Sequence, residues 1–301
     1  MNDLLLSFFL GLVQGLTEFL PISSSAHLLL PGLIFDSQNL GLSFDIAVHA
    51  GTLVAVIYFF RSEIALMTKS LFVNNPVYYK HKQLASYLII ATLPIVFVGF
   101  AFADMVEQGI FNEEITIAIS NLFFAAILFI AFIRRKEDKS LFEMTLYGAL
   151  LIGFLQCFAL IPGASRSGTA ITAALFIGMN LKDASKFSFM LGIPTIFGAF
   201  ILLIIKIQTS GIDYNYTHLV IGFFVSIGAL LGVFDHKELM LHPKLLLFLG
   251  AMYWPLIRTV RNDFSNFTKP FTFMLVILLI WWVFSKLVLG KRLPRKMDRL
   301  R

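Results

Sequence analysis

The sequence predicts an all-α polytopic membrane protein built as an inverted repeat. Three observations predict it: apolar runs of spanning length, loop charges that alternate in sign, and a polar, proline-broken segment that occurs twice. Hydrophobic residues make up 58% of the chain, and 33 of its 301 residues are Phe. That leaves too little polar surface to cover a soluble globule of this size. The apolar runs are Leu84 to Ala103, Ile115 to Ile133, Phe187 to Ile205, Leu219 to Phe234 and Phe271 to Phe284. Five such runs argue against long buried helices of a soluble core.

Charge sets the orientation. Arg61 to Lys82 carries four basic residues against one Glu, and Arg134 to Lys139 carries four against two acids. Both are expected to be cytoplasmic loops, whereas Asp104 to Glu114, with four acids and no Lys or Arg, belongs on the opposite side. Most of the net charge of +6 is C-terminal, with seven Lys or Arg and one Asp between Lys286 and Arg301. A basic tail beside spanning helices fits anionic lipid headgroups and implies no nucleic-acid partner. The N-terminal apolar stretch does not read as a signal peptide. Its leading residues include Asp3 and no Lys or Arg, and Gln14 and Glu18 interrupt the stretch. The single cysteine, Cys157, makes no intrachain disulfide.

Aligned on itself, the chain repeats. GLVQGLTEFLPISSSAH from Gly11 to His27 matches GFLQCFALIPGASRSGT from Gly153 to Thr169. Gly11 pairs with Gly153, Gln14 with Gln156 and, after a one-residue gap, Pro21 with Pro162 and Ser24 with Ser165. Downstream, FDIAVHAGT from Phe44 to Thr52 lies opposite FSFMLGIPT from Phe187 to Thr195. Three spans between the copies would make them enter the membrane from opposite sides. The repeats then cover residues 1–140 and 141–290 of a single membrane domain, followed by the tail 286–301. Proline, glycine and serine at Pro21–Ser25 and Pro162–Ser165 suit helix breaks. Non-helical backbone at membrane depth must line protein or a watery cavity, so the two breaks should share one.

The chemistry is concentrated there. Gln14 and Glu18 are four apart and share a helix face, where a carboxylate needs a donor, a cation or a proton. The competing reading is a Glu at the aqueous end of a helix. His27 beside Glu18 supplies a proton-transfer pair, unless it is a neutral helix-end imidazole. Ser23, Ser24 and Ser25 offer hydroxyls to a ligand or one nucleophile. Arg166, in PGASRSGT, is a permanent cation among small residues, suited to a phosphate gripped with Gly163, Ser165, Ser167, Thr169 and Ser23 around it. A helix starting at Thr169 would add its dipole. The alternative for Arg166 is a salt bridge to Glu18 or Asp45, and the two uses can alternate. Asp45 and His49 form another i, i+4 pair, read either as a supporting or metal-related pair or as a helix cap.

QGLTEFLPISSSAH from Gln14 to His27 and PGASRSGT from Pro162 to Thr169 resemble the two signature regions of the bacterial undecaprenyl-diphosphate phosphatases of the bacitracin-resistance (UppP/BacA) family. FDIAVHAGTL and KFSFMLGIPT are similar to further segments of that family, so the likeness runs from Leu4 to Phe200. The resemblance implies two re-entrant helix pairs around the site, six or seven transmembrane helices and a bacterial plasma-membrane location. It also implies hydrolysis of undecaprenyl diphosphate to undecaprenyl phosphate and inorganic phosphate, which recycles the lipid carrier of cell-wall synthesis and confers bacitracin resistance. A divalent cation, Mg2+ or Ca2+, is expected, with Gln14 and Glu18 in the acidic, metal-associated motif. By the same resemblance His27 is the catalytic histidine, Arg166 the phosphate-binding arginine and Ser24 the nucleophile. The partners are the polyprenyl diphosphate and membrane lipid, and an oligomer is compatible with the sequence. From Tyr214 onward the chain departs from the family pattern. Phe273-Met274 stands where a Tyr-Arg pair is usual, and the extra apolar stretch Leu245 to Ile257 intervenes. A crossing by Leu239 to Ile257 would keep the basic tail cytoplasmic. A transporter or flippase of a polyprenyl phosphate is the rival reading, because inverted repeats with midplane polar groups also serve transport.

Overall fold

A computed structural model of the chain describes residues 3–35, 40–101, 114–210 and 215–235. The predicted segment Leu239 to Ile257, the run Phe271 to Phe284, the basic tail and nearly all of the acidic stretch from Asp104 lie outside the described residues. Those that are described form helices and short connections, with one isolated bridge, Lys139 to Met179. The helices are α1 (Asp3–Thr17), α2 (Ser24–Phe35), α3 (Leu42–Phe59), α4 (Arg61–Phe72), α5 (Tyr79–Ala101), α6 (Glu114–Arg134), α7 (Leu146–Gln156), α8 (Arg166–Phe176), α9 (Leu181–Ser210) and α10 (Tyr216–Asp235).

Among the described residues four helices are long and apolar enough to cross a bilayer: those over Pro76–Ala101, Thr116–Arg134, Leu181–Leu202 and Tyr216–Phe234. They coincide with the first four predicted apolar runs. A fifth candidate is the pair α3 and α4, bent by 73° where they meet. One expectation is corrected here. Arg61 to Lys82 is not a loop but α4, a short 3-10 turn and the start of α5. The turn forms because the Asn75 side chain accepts from the Val77 N–H ahead of a Pro76 already fixed in φ.

By contrast, α1 has 15 residues and α7 has 11, about 22 and 16 Å at the α-helical rise, short of the roughly 30 Å hydrocarbon core. Both stop at the predicted breaks. Each short helix lies against one long partner: α1 on α10, and α7 on α5. Glycines paired in the sequence repeat make both approaches possible. A Cβ on Gly11 would sit 2.9 Å from the Gly222 carbonyl oxygen, and one on Gly153 would sit 2.9 Å from Ala91 Cα. Close backbone approach through small residues is how helices gain contact in lipid, where apolar side chains find no advantage in each other over acyl chains.

The core lies where the short helices meet the long ones. Phe19, just after α1, packs edge-on against Phe189 of α9 at 5.6 Å and beside Phe234 of α10 at 6.0 Å, while Phe59 of α3 stacks on Phe234 at 4.2 Å. This cluster fixes the first break against three helices at the residue next to Glu18. The outward faces carry large apolar side chains such as Phe97, Phe100, Phe123 and Phe224, as lipid contact requires.

Gly153→Ala is expected to lower the thermal midpoint in detergent, because overpacking of this kind typically costs about 1–3 kcal/mol. Gly228→Ala, where a Cβ meets nothing within 4 Å, is expected to raise it slightly through helix propensity. Thermal unfolding of the two variants checks the contrast in sign.

Candidate active site

Each break is followed by a helix that begins on a serine pair. In the second, Ser165 precedes α8 and its side chain accepts from the Gly168 N–H at 3.2 Å. In the first, Ser23 precedes α2. The hydroxyls of Ser23 and Ser25 lie 3.1 Å apart, as do those of Ser165 and Ser167. Two expectations change. The helix starts at Arg166 rather than Thr169, because Ser165 caps it. The helix starts also align Ser23 with Ser165, whereas sequence identity pairs Ser24 with Ser165. Ser24 and Arg166 therefore hold the same place, the first residue of a helix.

Both reach Glu18. Its carboxylate, only 3% exposed, accepts from the Ser24 hydroxyl at 2.7 Å and from the Gln14 amide at 2.7 Å. Its other oxygen is ion-paired with the Arg166 guanidinium. The buried carboxylate reading is thus the one the structure adopts, and the helix-end alternative is not. A buried charge is tolerable when it is paired and hydrogen-bonded, and Glu18 has three donors. The Arg166–Glu18 salt bridge offered as the alternative to phosphate binding is present. Arg166 also donates to the Thr195 hydroxyl of α9 at 3.5 Å.

The imidazole at ion-pair distance from Glu18 is that of His49, with Nε2 at 3.5 Å from Oε2. Its Nδ1 donates to the Asp45 carbonyl at 2.7 Å, so the pair read from the sequence is real but joined through backbone. His27 is fully buried, and its Nδ1 lies 2.7 Å from the Ser23 carbonyl. Sequence reasoning offered His49 only as half of a supporting or metal-related pair with Asp45, and gave Thr195 no role at the site. The i, i+4 spacing of Asp45 and His49 was the available signal for the first, and the repeat that sets Thr195 opposite Thr52 was the signal for the second.

The backbone of the breaks is satisfied by the opposite copy and by α6. The Leu20 carbonyl accepts from Ser167 at 2.7 Å and from Ser165 at 3.4 Å. The Pro162 carbonyl accepts from Ser120 at 2.5 Å and the Gly163 carbonyl from Asn121 at 3.2 Å. Gly163 has φ +94, and a Cβ there would strike the Ile117 carbonyl and the Ser120 hydroxyl. Only glycine fits. Thr169 turns back to the Arg166 carbonyl at 3.0 Å.

For a metal, no trio of His, Cys, Asp or Glu converges among the described residues. The site does offer Glu18 and Gln14 Oε1, the latter buried without a hydrogen-bond partner. Gln14 Oε1 is a hard oxygen of the kind Mg2+ or Ca2+ takes, while both oxygens of the Glu18 carboxylate are engaged by Arg166, Ser24 and Gln14.

The fold and site define a multi-pass helical membrane protein whose polar centre joins two broken helices. A family model described as Bacitracin resistance protein BacA matches residues 7–251, and the chain belongs to that family, the undecaprenyl-diphosphate phosphatase family. The resemblance drawn from its two motifs is borne out.

Arg166→Ala should destabilise the protein by about 3–5 kcal/mol, because it strands a buried carboxylate. Adding Glu18→Gln to it should restore part of that loss. Unfolding midpoints of the two single variants and the double variant measure the coupling, and strictly additive losses would contradict the pair.

Proposed function

We propose that this chain hydrolyses undecaprenyl diphosphate in the bacterial plasma membrane, releasing inorganic phosphate and undecaprenyl phosphate, with Ser24 as nucleophile. The observation that carries it is the Glu18 carboxylate bridging a hydroxyl, Ser24 at 2.7 Å, and a phosphate-suited cation, Arg166.

Arg166 grips the terminal phosphate, and Ser165, Ser167, Gly163, Thr169 and Ser23 surround it at the two helix starts, whose positive dipole ends favour an anion. In exchanging Glu18 for phosphate, Arg166 leaves the carboxylate to take the Ser24 proton. Ser24 Oγ attacks the terminal phosphorus. The bond from that phosphorus to the bridging oxygen breaks, and undecaprenyl phosphate departs with the electron pair. Water then attacks the phosphoserine and passes its proton to His27. The bond from phosphorus to Ser24 Oγ breaks, and Oγ takes back its proton from Glu18, freeing inorganic phosphate. With Nδ1 held by Ser23, Nε2 is the nitrogen through which His27 exchanges its proton. His49 orients the carboxylate. A divalent cation, held by Gln14 and Glu18, would neutralise charge on the diphosphate oxygens.

We also propose that residues 1–140 and 141–290 form inverted copies within one membrane domain, with α1–α2 and α7–α8 as re-entrant pairs. Supporting this are the two short helices, each seated by a paired glycine on a long helix of the other half.

Purified protein in detergent with Mg2+ or Ca2+ should release phosphate from undecaprenyl diphosphate. Arg166→Ala should lower the rate about 100-fold or more, and Ser24→Ala should abolish acid-stable labelling of the protein by terminally labelled substrate. Intact turnover by Ser24→Ala would hand the attack to water. Absence of release, with facilitated movement of polyprenyl phosphate across vesicles, would instead favour the transporter.

A further inference from the structure

Between α3 and α5 the chain turns aside from the membrane normal. α3 has 18 residues, about 27 Å at the helical rise, so by itself it reaches across most of the hydrocarbon core. Tyr58 lies at its end, and Tyr78 and Tyr79 lie at the start of α5. Tyrosine is enriched where lipid meets water, so both helix ends belong to one membrane face. The 12 residues of α4 connect them, bent by 73° from α3. The inner side of α4 is occupied. Phe60 just before it, with Ile64 and Met67 at i+4 and i+7, packs in one cluster with Leu84 and Leu88 of α5. Its outer side carries exposed Leu66, Leu71 and Phe72, and the turn that follows adds Val73 and Val77. Phe72 is 83% and Val77 74% exposed.

Basic residues border this apolar surface. Arg61, Lys69, Lys80 and Lys82 stand against a single acid, Glu63, and Glu63 is already paired with Lys186 of α9 at 2.8 Å. We propose that α4 and the turn after it lie in the plane of the membrane and form a docking surface for anionic phospholipid. Leu66, Phe72 and Val77 enter the top of the acyl layer, and Lys69 and Lys80 meet the lipid phosphates. A segment with this many charges does not continue the span of α3 through hydrocarbon. Left in water, its outer side chains would form an uncovered apolar patch. The interface accommodates both. The lysines are also positioned for it, the Lys69 ammonium over the Tyr78 ring at 5.2 Å and that of Lys80 over the Phe142 ring at 5.8 Å. Such contacts fix an ammonium while leaving it N–H groups for phosphate oxygens. The occupant follows from charge and from position, because α3 and α5 enter the bilayer at the two ends of α4. None of these residues belongs to the Glu18 site, so the surface is independent of the hydrolase reading.

The test places a nitroxide label in the full chain, with the single cysteine removed by Cys157→Ser, in nanodiscs of phosphatidylcholine containing phosphatidylglycerol. Three positions are compared: Phe72→Cys on α4, Phe97→Cys on the outward face of the α5 span, and Lys136→Cys, exposed in the loop after α6. Collision with oxygen and with a water-soluble nickel chelate reports depth. The label at 72 should lie between the other two, shielded from nickel relative to 136 and shallower than 97. Val77→Cys should give the same depth and serves if the Phe72 variant does not fold. Nickel access equal to that at 136 would place α4 in water, and a depth equal to that at 97 would make it part of a span; either overturns the proposal. For the charges, Lys69→Gln combined with Lys80→Gln should lower the protein's preference for spin-labelled phosphatidylglycerol over phosphatidylcholine about twofold or more. An unchanged preference would overturn the phosphate contacts.

Discussion

The Glu18–Arg166 ion pair is the interaction on which the rest of the site depends. A carboxylate this deeply buried is tolerable only while donors surround it, and those donors come from three separate stretches of chain. Gln14 lies one helical turn before it, Ser24 lies across the first break, and Arg166 lies 148 residues away at the second. Satisfying one charge therefore draws the two breaks together. The same arrangement leaves a cation with an exchangeable partner, which is what a phosphate site requires before its ligand arrives.

The backbone obeys the same rule. Where a helix stops inside a bilayer, its carbonyls have no water to turn to. The Leu20 carbonyl is served by serines of the other break, and those of Pro162 and Gly163 by α6. Two long helices bracket the pair from either side, α3 through His49 on Glu18 and α9 through Thr195 on Arg166. These are paired segments of the repeat, used for different ends. Ser24 and Arg166 show the same divergence. They occupy equivalent helix starts, yet one is suited to attack and the other to hold.

Much of this was legible in the sequence. Apolar runs marked the long helices because lipid imposes a minimum length, and Pro21 and Pro162 marked the breaks because proline cannot continue the hydrogen-bond ladder. Glu18 and Arg166 stood out because charge in an apolar segment needs a reason. Their salt bridge was among the readings the sequence offered. What could not be read were contacts fixed by tertiary geometry alone. Nothing local to His49 says that its ring turns to Glu18. Ser120 and Asn121 looked like ordinary polar residues in a spanning helix until the second break was placed beside them. The start of α8 was misjudged by three residues because Ser165, read as a ligand group, also caps the helix.

The central claim is that Glu18 holds Arg166 until a phosphate displaces it. Calorimetric titration of the detergent-solubilised protein with pyrophosphate, in the presence of a chelator, tests this most directly. Tighter binding by Glu18→Gln than by wild type, abolished when Arg166→Ala is added, is the predicted result. Equal affinity in wild type and Glu18→Gln, or binding that survives the loss of Arg166, would contradict it.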